Sequence, residues 1–430
     1  MCEGGPGYVE AMRIDDAPGL LREGYTWAGR LRGDRPAVPI RLLGRRAALV
    51  GGPEGVRRFY DPSLRRRGAL PLPVKLVLFG RGSIHGLDDA EHRHDKAMYL
   101  NVLTPAAVDD LSRRAQAEWS AAASSWTADR PVVLFDEAVR VLTASVLSWA
   151  GIPDPRADVT GRRLAAVLDG FATPGAPYAR AALARWRLNR WAAGLVRKVR
   201  RNQIQPRPGT ALDVAARARD LDGSLLSETR AAVALLNVVR PTVAVAWFVT
   251  YAGIALHQQP EWRRRVASGD SAACRAFAQE VRRLYPFVPV LAARARDEQD
   301  VLGVRVPAGG LVVLDVHGTD HDPTHWPEPE RFDPNRFLSG PVDPDTLVPQ
   351  GGGDVRTGHR CPGEDVTLTM IEVATRALAE TPYTLPPQDF RVDLSRMPTL
   401  PRSRVVMTVP PSSDQRPSET EPSRSGHEIA

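Results

Sequence analysis

The sequence predicts a mainly α-helical fold with small β-sheets, on three observations. From Asp109 to Asp322 the pattern is mainly helical, and the helices are parted by Gly151-Ile152-Pro153, Gly170 to Pro177, Gln205 to Gly209 and Gln259-Pro260. Two short stretches alternate like strands around turn residues. One run, Ala231 to Leu256, is apolar with a single charge, Arg240. At 430 residues and 43% hydrophobic side chains, the chain can bury one large core or two fused lobes.

Taken in order, the first strand pair runs along Val38-Pro39-Ile40-Arg41-Leu42-Leu43, turns at Gly44-Arg45 and returns along Ala47-Ala48-Leu49-Val50. Gly55 to Tyr60 starts a short helix. Trp186 and Trp191 read as packing residues. The run from Ala231 to Leu256 has the length of a membrane span. A central arginine would cost about 2.5–3.5 kcal/mol in a bilayer, and Pro241 would break the middle of the helix. The preferred reading is a long helix buried in a protein core, apolar on all faces. Ser271 to Tyr285 is helical, and Val301 to Val316 reads as a second hairpin turning at Pro307-Ala308-Gly309-Gly310. A last helix runs from Val366 to Ala377. Ser412 to Ala430 is rich in Ser, Glu and Pro and is expected to be a disordered tail, leaving 1–411 as one domain.

Charge narrows the function classes. The net charge is +7, but 54 of the 57 basic residues are arginines, a bias that a GC-rich coding sequence produces without any nucleic-acid role. No basic block alternates with aromatics, so nucleic acid is discounted as a partner. Three cysteines, Cys2, Cys274 and Cys361, make no disulfide framework. With no signal pattern at the N-terminus, the expected location is the cytoplasm.

The chemistry centres on Gly358-His359-Arg360-Cys361-Pro362-Gly363-Glu364. A lone cysteine sits in a Gly/Pro turn just before a helix, next to two bases. A helix N-terminus and neighbouring cations both favour the thiolate, the form that binds metal. No second Cys or His stands at zinc spacing, which suits the axial ligand of a haem iron; a buried, inert cysteine is the plainer alternative. Two further segments lie upstream: Glu280-Val281-Arg282-Arg283, an acid and a base three apart on a helix, and the Pro-rich Trp326-Pro327-Glu328-Pro329-Glu330-Arg331-Phe332-Asp333-Pro334. Either alone could be an ordinary solvated helix or loop.

In this order and spacing, E-x-x-R, P-E-R-F and the Cys loop resemble the cytochrome P-450 superfamily of haem-thiolate enzymes. The resemblance implies that fold, a haem b held by Cys361, and a buried charge network of Glu280, Arg283 and Arg331. The Cys loop departs from the superfamily pattern. Asp354 stands in place of the usual phenylalanine, Thr357 in place of a glycine, and Gln350-Gly351-Gly352-Gly353 precedes them. This is similar to the bacterial fatty-acid peroxygenase branch, whose members use hydrogen peroxide and need no redox partner.

Arg240-Pro241 extends the resemblance. A guanidinium in an apolar helix needs an anion, because burying it alone costs several kcal/mol; an internal acid or a haem propionate could serve. No acid–alcohol pair occurs in Leu235 to Thr250, where most of the superfamily carries one. In the peroxygenase branch an arginine here binds the substrate carboxylate, which then serves as acid–base group during oxidation. Phe79-Gly80-Arg81-Gly82-Ser83-Ile84-His85-Gly86-Leu87-Asp88 resembles that branch's haem-side loop, placing Phe79 at the substrate and His85 at the reacting carbons; a hydrogen-bonded loop histidine is equally open. Gly170-Phe171-Ala172-Thr173 resembles the acyl-tunnel loop. His92 and Lys96 match the propionate-contacting helix, although Asp95 stands where relatives tend to carry a base; Arg67, His359 and Arg360 are further candidates.

The resemblance implies α- or β-hydroxylation of long-chain fatty acids, or their decarboxylation to terminal alkenes, and leaves both open. A redox-partner-dependent monooxygenase on another acidic substrate is the alternative. A non-catalytic haem sensor or lipid-binding protein is the reading from another class.

Overall fold

A computed structural model describes residues 15–410; the predicted tail at 412–430 lies outside them. Five strands form the main sheet: β1 (Ala37–Leu42), β2 (Arg45–Val50), β3 (Leu64–Arg65), β4 (Val290–Ala295) and β5 (Leu311–Asp315), in the order β1-β2-β5-β4-β3. The expected first hairpin is present, with Val38 opposite Leu49 and Ile40 opposite Ala47. Alternation then sorts the side chains to two faces. Val38, Ile40, Leu49 and Val313 pack with Trp27, whereas Ala48, Val50, Val312 and Leu314 pack with Val56 and Phe59.

The expected second hairpin is not formed. Val304–Val306 pairs instead with Gln299–Val301 around Leu302-Gly303, both at positive φ, the two-residue turn that matches strand twist. Leu311–Asp315 is buried at every position, so it needs partners on both sides. It finds them in β2, parallel, and β4, antiparallel.

Helices make up the rest, around one large apolar core. Those that build the site are α1 (Leu72–Leu78), α2 (Asp89–Val102), α3 (Ala157–Gly170), α4 (Ala176–Arg200), α5 (Glu228–Ala244), α6 (Ala246–Gln258), α7 (Ser271–Leu284) and α8 (Glu364–Glu380). α5 begins at Ser227, whose side chain accepts from the Arg230 N–H. α5 and α6 form the long apolar helix the sequence predicts, and 94% of its most apolar window is buried inside the protein. Its break falls at Val245 rather than at Pro241: the helix runs on past the proline, and the Val245 N–H then bonds to Thr242 O at 3.2 Å, one residue short of helical register. Trp191 packs against the core as expected. Trp186 does not; it is 53% exposed, because its position on α4 turns to solvent.

Candidate active site

Cys361 sits three residues before α8 and lines a cavity that also reaches Arg240 on α5. The cavity holds about 1570 Å³ not filled by protein atoms, part of it open to solvent. Val238, Ala244, Val245, Phe287, Val288, Leu291 and Val366 give it an apolar lining.

The sulfur's surroundings are specific. The Cys361 N–H donates to Gln350 O at 3.2 Å, which fixes the loop. The Gln350 amide donates to Thr367 at 2.9 Å and reaches Sγ at 3.7 Å. Burial nevertheless pushes the Cys361 thiol up, against the Gly363 N–H and the Lys96 charge. The expected lowering by neighbouring bases therefore fails. His359 is itself pushed down to about 2 by burial and by the Arg66 charge, so it is neutral. Arg360 donates to Glu364 at 2.7 Å, so its charge is already answered. A metal ion on the sulfur is what would hold it as thiolate.

The propionate candidates divide. His92, Lys96 and His359 line the cavity, with the two imidazoles in contact at 3.9 Å. Lys96 donates to the carbonyls of Gly358 and Arg360. Arg67 points away: it is exposed and pairs with Glu91. Its neighbour Arg66 is the half-buried cation, stacked 4.2 Å over Phe59, with its charge bearing on His92 and His359. Both follow β3 in a turn closed by the Ala69 N–H on Arg66 O at 3.1 Å, and the sequence does not say which arginine the turn sends inward.

The charge network is also corrected. Arg283 binds Glu280 through Nε at 2.7 Å and Nη2 at 2.8 Å, both side chains fully buried. The third member is Arg336, 3.6 Å from Glu280 and 11% exposed. Arg331 is on the surface, paired with Glu328. Phe332-Asp333-Pro334-Asn335-Arg336-Phe337 repeats the P-x-R-F pattern five residues on, and there the Asp333 N–H donates to Glu280 at 2.9 Å. That repeat was the available signal.

Above the sulfur, Phe79, His85, Phe171, Arg240 and Pro241 line the cavity; Ala172 does not. His85 stacks on Phe79 at 3.8 Å, and its Nδ1 is buried without a partner. Burial and the Arg240 charge push it down to about 3, so it is neutral and able to donate or accept one hydrogen bond. Arg240 is buried, and among the described residues no carboxylate pairs with it. Its Nη2 donates to Asn237 Oδ1 at 3.4 Å, and its Nε has no partner. Burial, then the Arg185 charge, pushes its pKa down to about 9.

Two residues that sequence reasoning missed hold this arrangement. Asn237 Nδ2 donates to Phe79 O at 3.1 Å, and Arg185 Nη2 donates to the same oxygen at 2.9 Å. Arg185 Nη1 also takes Leu78 O, at 3.2 Å. Gly80, at φ +88°, makes this possible, because any Cβ there would collide with the guanidinium.

The residues present fit a sulfur-ligated haem: one accessible sulfur, apolar walls, and His92, Lys96 and His359 as donors beside it. Comparison with known proteins agrees. The cytochrome P450 family model matches residues 274–381. The solved structure of cytochrome P450SP alpha (CYP152B1) in complex with (R)-ibuprophen superposes with a TM-score of 0.88 at 36% identity, over 92% of this chain and 98% of that one. Cytochrome P450EX alpha (CYP152N1) with myristic acid gives 0.87 at 36% identity, over 93% and 97%. Among curated relatives, cytochrome P450 71A8 of Mentha piperita is 33% identical over 138 residues, 31% of this chain but 27% of its own length. The chain belongs to the cytochrome P450 family. Its structural neighbours place it beside the CYP152 peroxygenases, the branch anticipated from the Cys and Arg240 segments. Family membership brings a haem whose iron a cysteine thiolate ligates.

Proposed function

We propose that this chain is a hydrogen-peroxide-using fatty-acid peroxygenase, with Cys361 ligating the iron of haem b and Arg240 binding the substrate carboxylate. Its products are α- or β-hydroxy acids, terminal alkenes, or both. When bound, the haem supplies peroxide activation and oxidation of the substrate carbon. His92, Lys96, His359 and Arg66 offer the donors and charge that the propionates need.

The observation that carries the reading is a buried guanidinium that, among the described residues, has no carboxylate partner, in the same cavity as the cysteine sulfur. An uncompensated buried cation is costly, so a ligand anion is the favourable complement. A fatty-acid carboxylate on Arg240 gains a charge-assisted bond and places its α and β carbons at a fixed reach. Arg240 keeps that carboxylate ionised, so it can carry a proton between the two oxygens of hydrogen peroxide. Neutral His85, backed by Phe79, holds one hydrogen-bonding nitrogen toward the reacting carbons. Apolar walls exclude water from the acyl chain. Asp354 accepts from the Arg356 and Thr357 N–H groups and from the Thr357 hydroxyl, a self-contained turn that replaces the usual partner-facing loop. It supports turnover without a redox partner.

Myristic acid, bound in the P450EX alpha structure, defines the probe class. Titrating the haem absorbance with such acids tests the anchor. Arg240→Ala should weaken binding about tenfold to a hundredfold, the worth of one charge-assisted hydrogen bond, and lower peroxide-driven turnover in step. Unchanged affinity and near wild-type turnover would refute the reading.

A further inference from the structure

The longest acid-free stretch of charge in the chain lies on α4. Between Asp169 and Asp213 there are nine Lys and Arg residues and no Asp or Glu. Some of these charges are spoken for: Arg197 pairs with Glu228, Arg200 donates to the carbonyls of Ala216 and Leu226, and Arg185 serves Phe79. Arg180, Arg187 and Arg190 are different. They are exposed, and among the described residues none of them forms an ion pair. Helical spacing puts them on one stripe with Leu183 and Trp186. Those two are 47% and 53% exposed, and Leu72, at the start of α1, is 64% exposed. Arg190 lies 4.9 Å over the Trp186 ring. The Tyr178 hydroxyl donates to Pro73 O at 3.3 Å, which ties the first turn of α4 to α1 beside this patch.

An exposed Trp and Leu ringed by unpaired arginines on one helix face has the composition of an interfacial membrane helix. We infer that this face docks the protein on an anionic lipid surface, lying on the bilayer and not spanning it. The unpaired arginines meet lipid phosphates, and Trp186 with Leu183 and Leu72 enters the headgroup boundary. A polyanion such as nucleic acid would answer the charges but leave the apolar side chains in water. The docking face is joined to the cavity wall, since α1 ends at Leu78 and Phe79, and α3 leads through Phe171 into α4. This deepens the peroxygenase reading, on which it rests, by naming the source of substrate: fatty acid delivered from a membrane surface.

Sedimentation of the full-length haem-loaded protein with phosphatidylcholine vesicles, with and without a quarter phosphatidylglycerol, tests it. Wild type should bind the anionic vesicles at least tenfold more tightly than the neutral ones. The variant R180Q/R187Q/R190Q should lose about a hundredfold, from roughly a kcal/mol per basic residue at the surface. L183S/W186S should keep only weak binding that salt abolishes. The idea is overturned if wild type ignores anionic vesicles, if the arginine variant binds as well as wild type, or if L183S/W186S binds equally well and duplex DNA competes. Acid titration of the haem in the same variants reads the Arg240 site separately. It should stay at wild-type affinity, so failure of docking and failure of the fatty-acid reading are distinguishable.

Discussion

Arg240 works as an anion receptor because other residues hold its surroundings open. Asn237 gives it a weak neutral partner and leaves its charge unanswered, while the charge of Arg185 raises the cost of keeping it protonated. The sign of the pH dependence follows. Carboxylate binding needs the protonated guanidinium, so acid affinity should be flat through neutral pH and fall as pH rises past about 9. Arg185→Met removes the repelling charge, raises the Arg240 proton affinity and should move that alkaline loss to higher pH. Asn237→Ala removes one donor to Phe79 O, and the acceptor of Arg240 Nη2, but leaves Arg185 on that oxygen, and should weaken acid binding about two- to tenfold. Both are read by haem absorbance titration across pH 7–10; an alkaline limb that stays put in Arg185→Met would refute the charge coupling. Cys361 and Arg240 were legible in the sequence because each is a lone functional group in a distinctive run. Asn237 and Arg185 were not, because both act through the backbone oxygen of Phe79, and no side-chain pattern records a carbonyl more than a hundred residues away.

At the scale of elements, the helices and the first hairpin were legible, since periodicity and turn residues specify them locally. Pairing between distant strands was not. Val304–Val306 and Leu311–Asp315 look like a hairpin in sequence, yet burial of every residue of β5 sends it between β2 and β4. The misassigned Arg331 is a related failure, in which two P-x-R-F patterns five residues apart compete and only burial decides between them. The decision can be measured. Arg331→Ala removes a surface pair and should change stability by less than about 0.5 kcal/mol. Arg336→Ala uncovers Glu280, which is fully buried, and should cost about 1–3 kcal/mol in denaturant unfolding, with loss of retained haem. Equal effects of the two substitutions would mean that the network does not extend to Arg336.

Across the whole molecule, the sheet region and the helical core meet at a cluster of rings, Tyr25 buried and His317 and His321 half-buried, and that junction sets an acid limit. His317, in the short helix Val316–Asp320, packs against Tyr25 from the N-terminal side at 5.5 Å and against His321 at 4.1 Å. The Tyr25 hydroxyl donates to the carbonyl of Phe287, a residue of the cavity wall. Burial, then His321 and Arg283, pushes His317 down to about 3 from its ordinary 6.5. Above pH 6.5 the folded and unfolded forms are both neutral there, and stability is complete. Below it the unfolded chain takes up a proton that the folded one refuses, so stability falls by about 1.4 kcal/mol per pH unit until the folded value is reached. Buried Asp315 and Asp320 have raised values and act in the opposite sense as pH falls through those raised values, so the difference between variants is the clean quantity. His317→Phe keeps a ring against Tyr25 but removes the titration. Its melting temperature should drop less than that of wild type between pH 7 and pH 5, by the equivalent of about 2 kcal/mol. Parallel curves for the two proteins would mean that the junction does not set the acid limit, and that some other group, such as His321, carries the linkage.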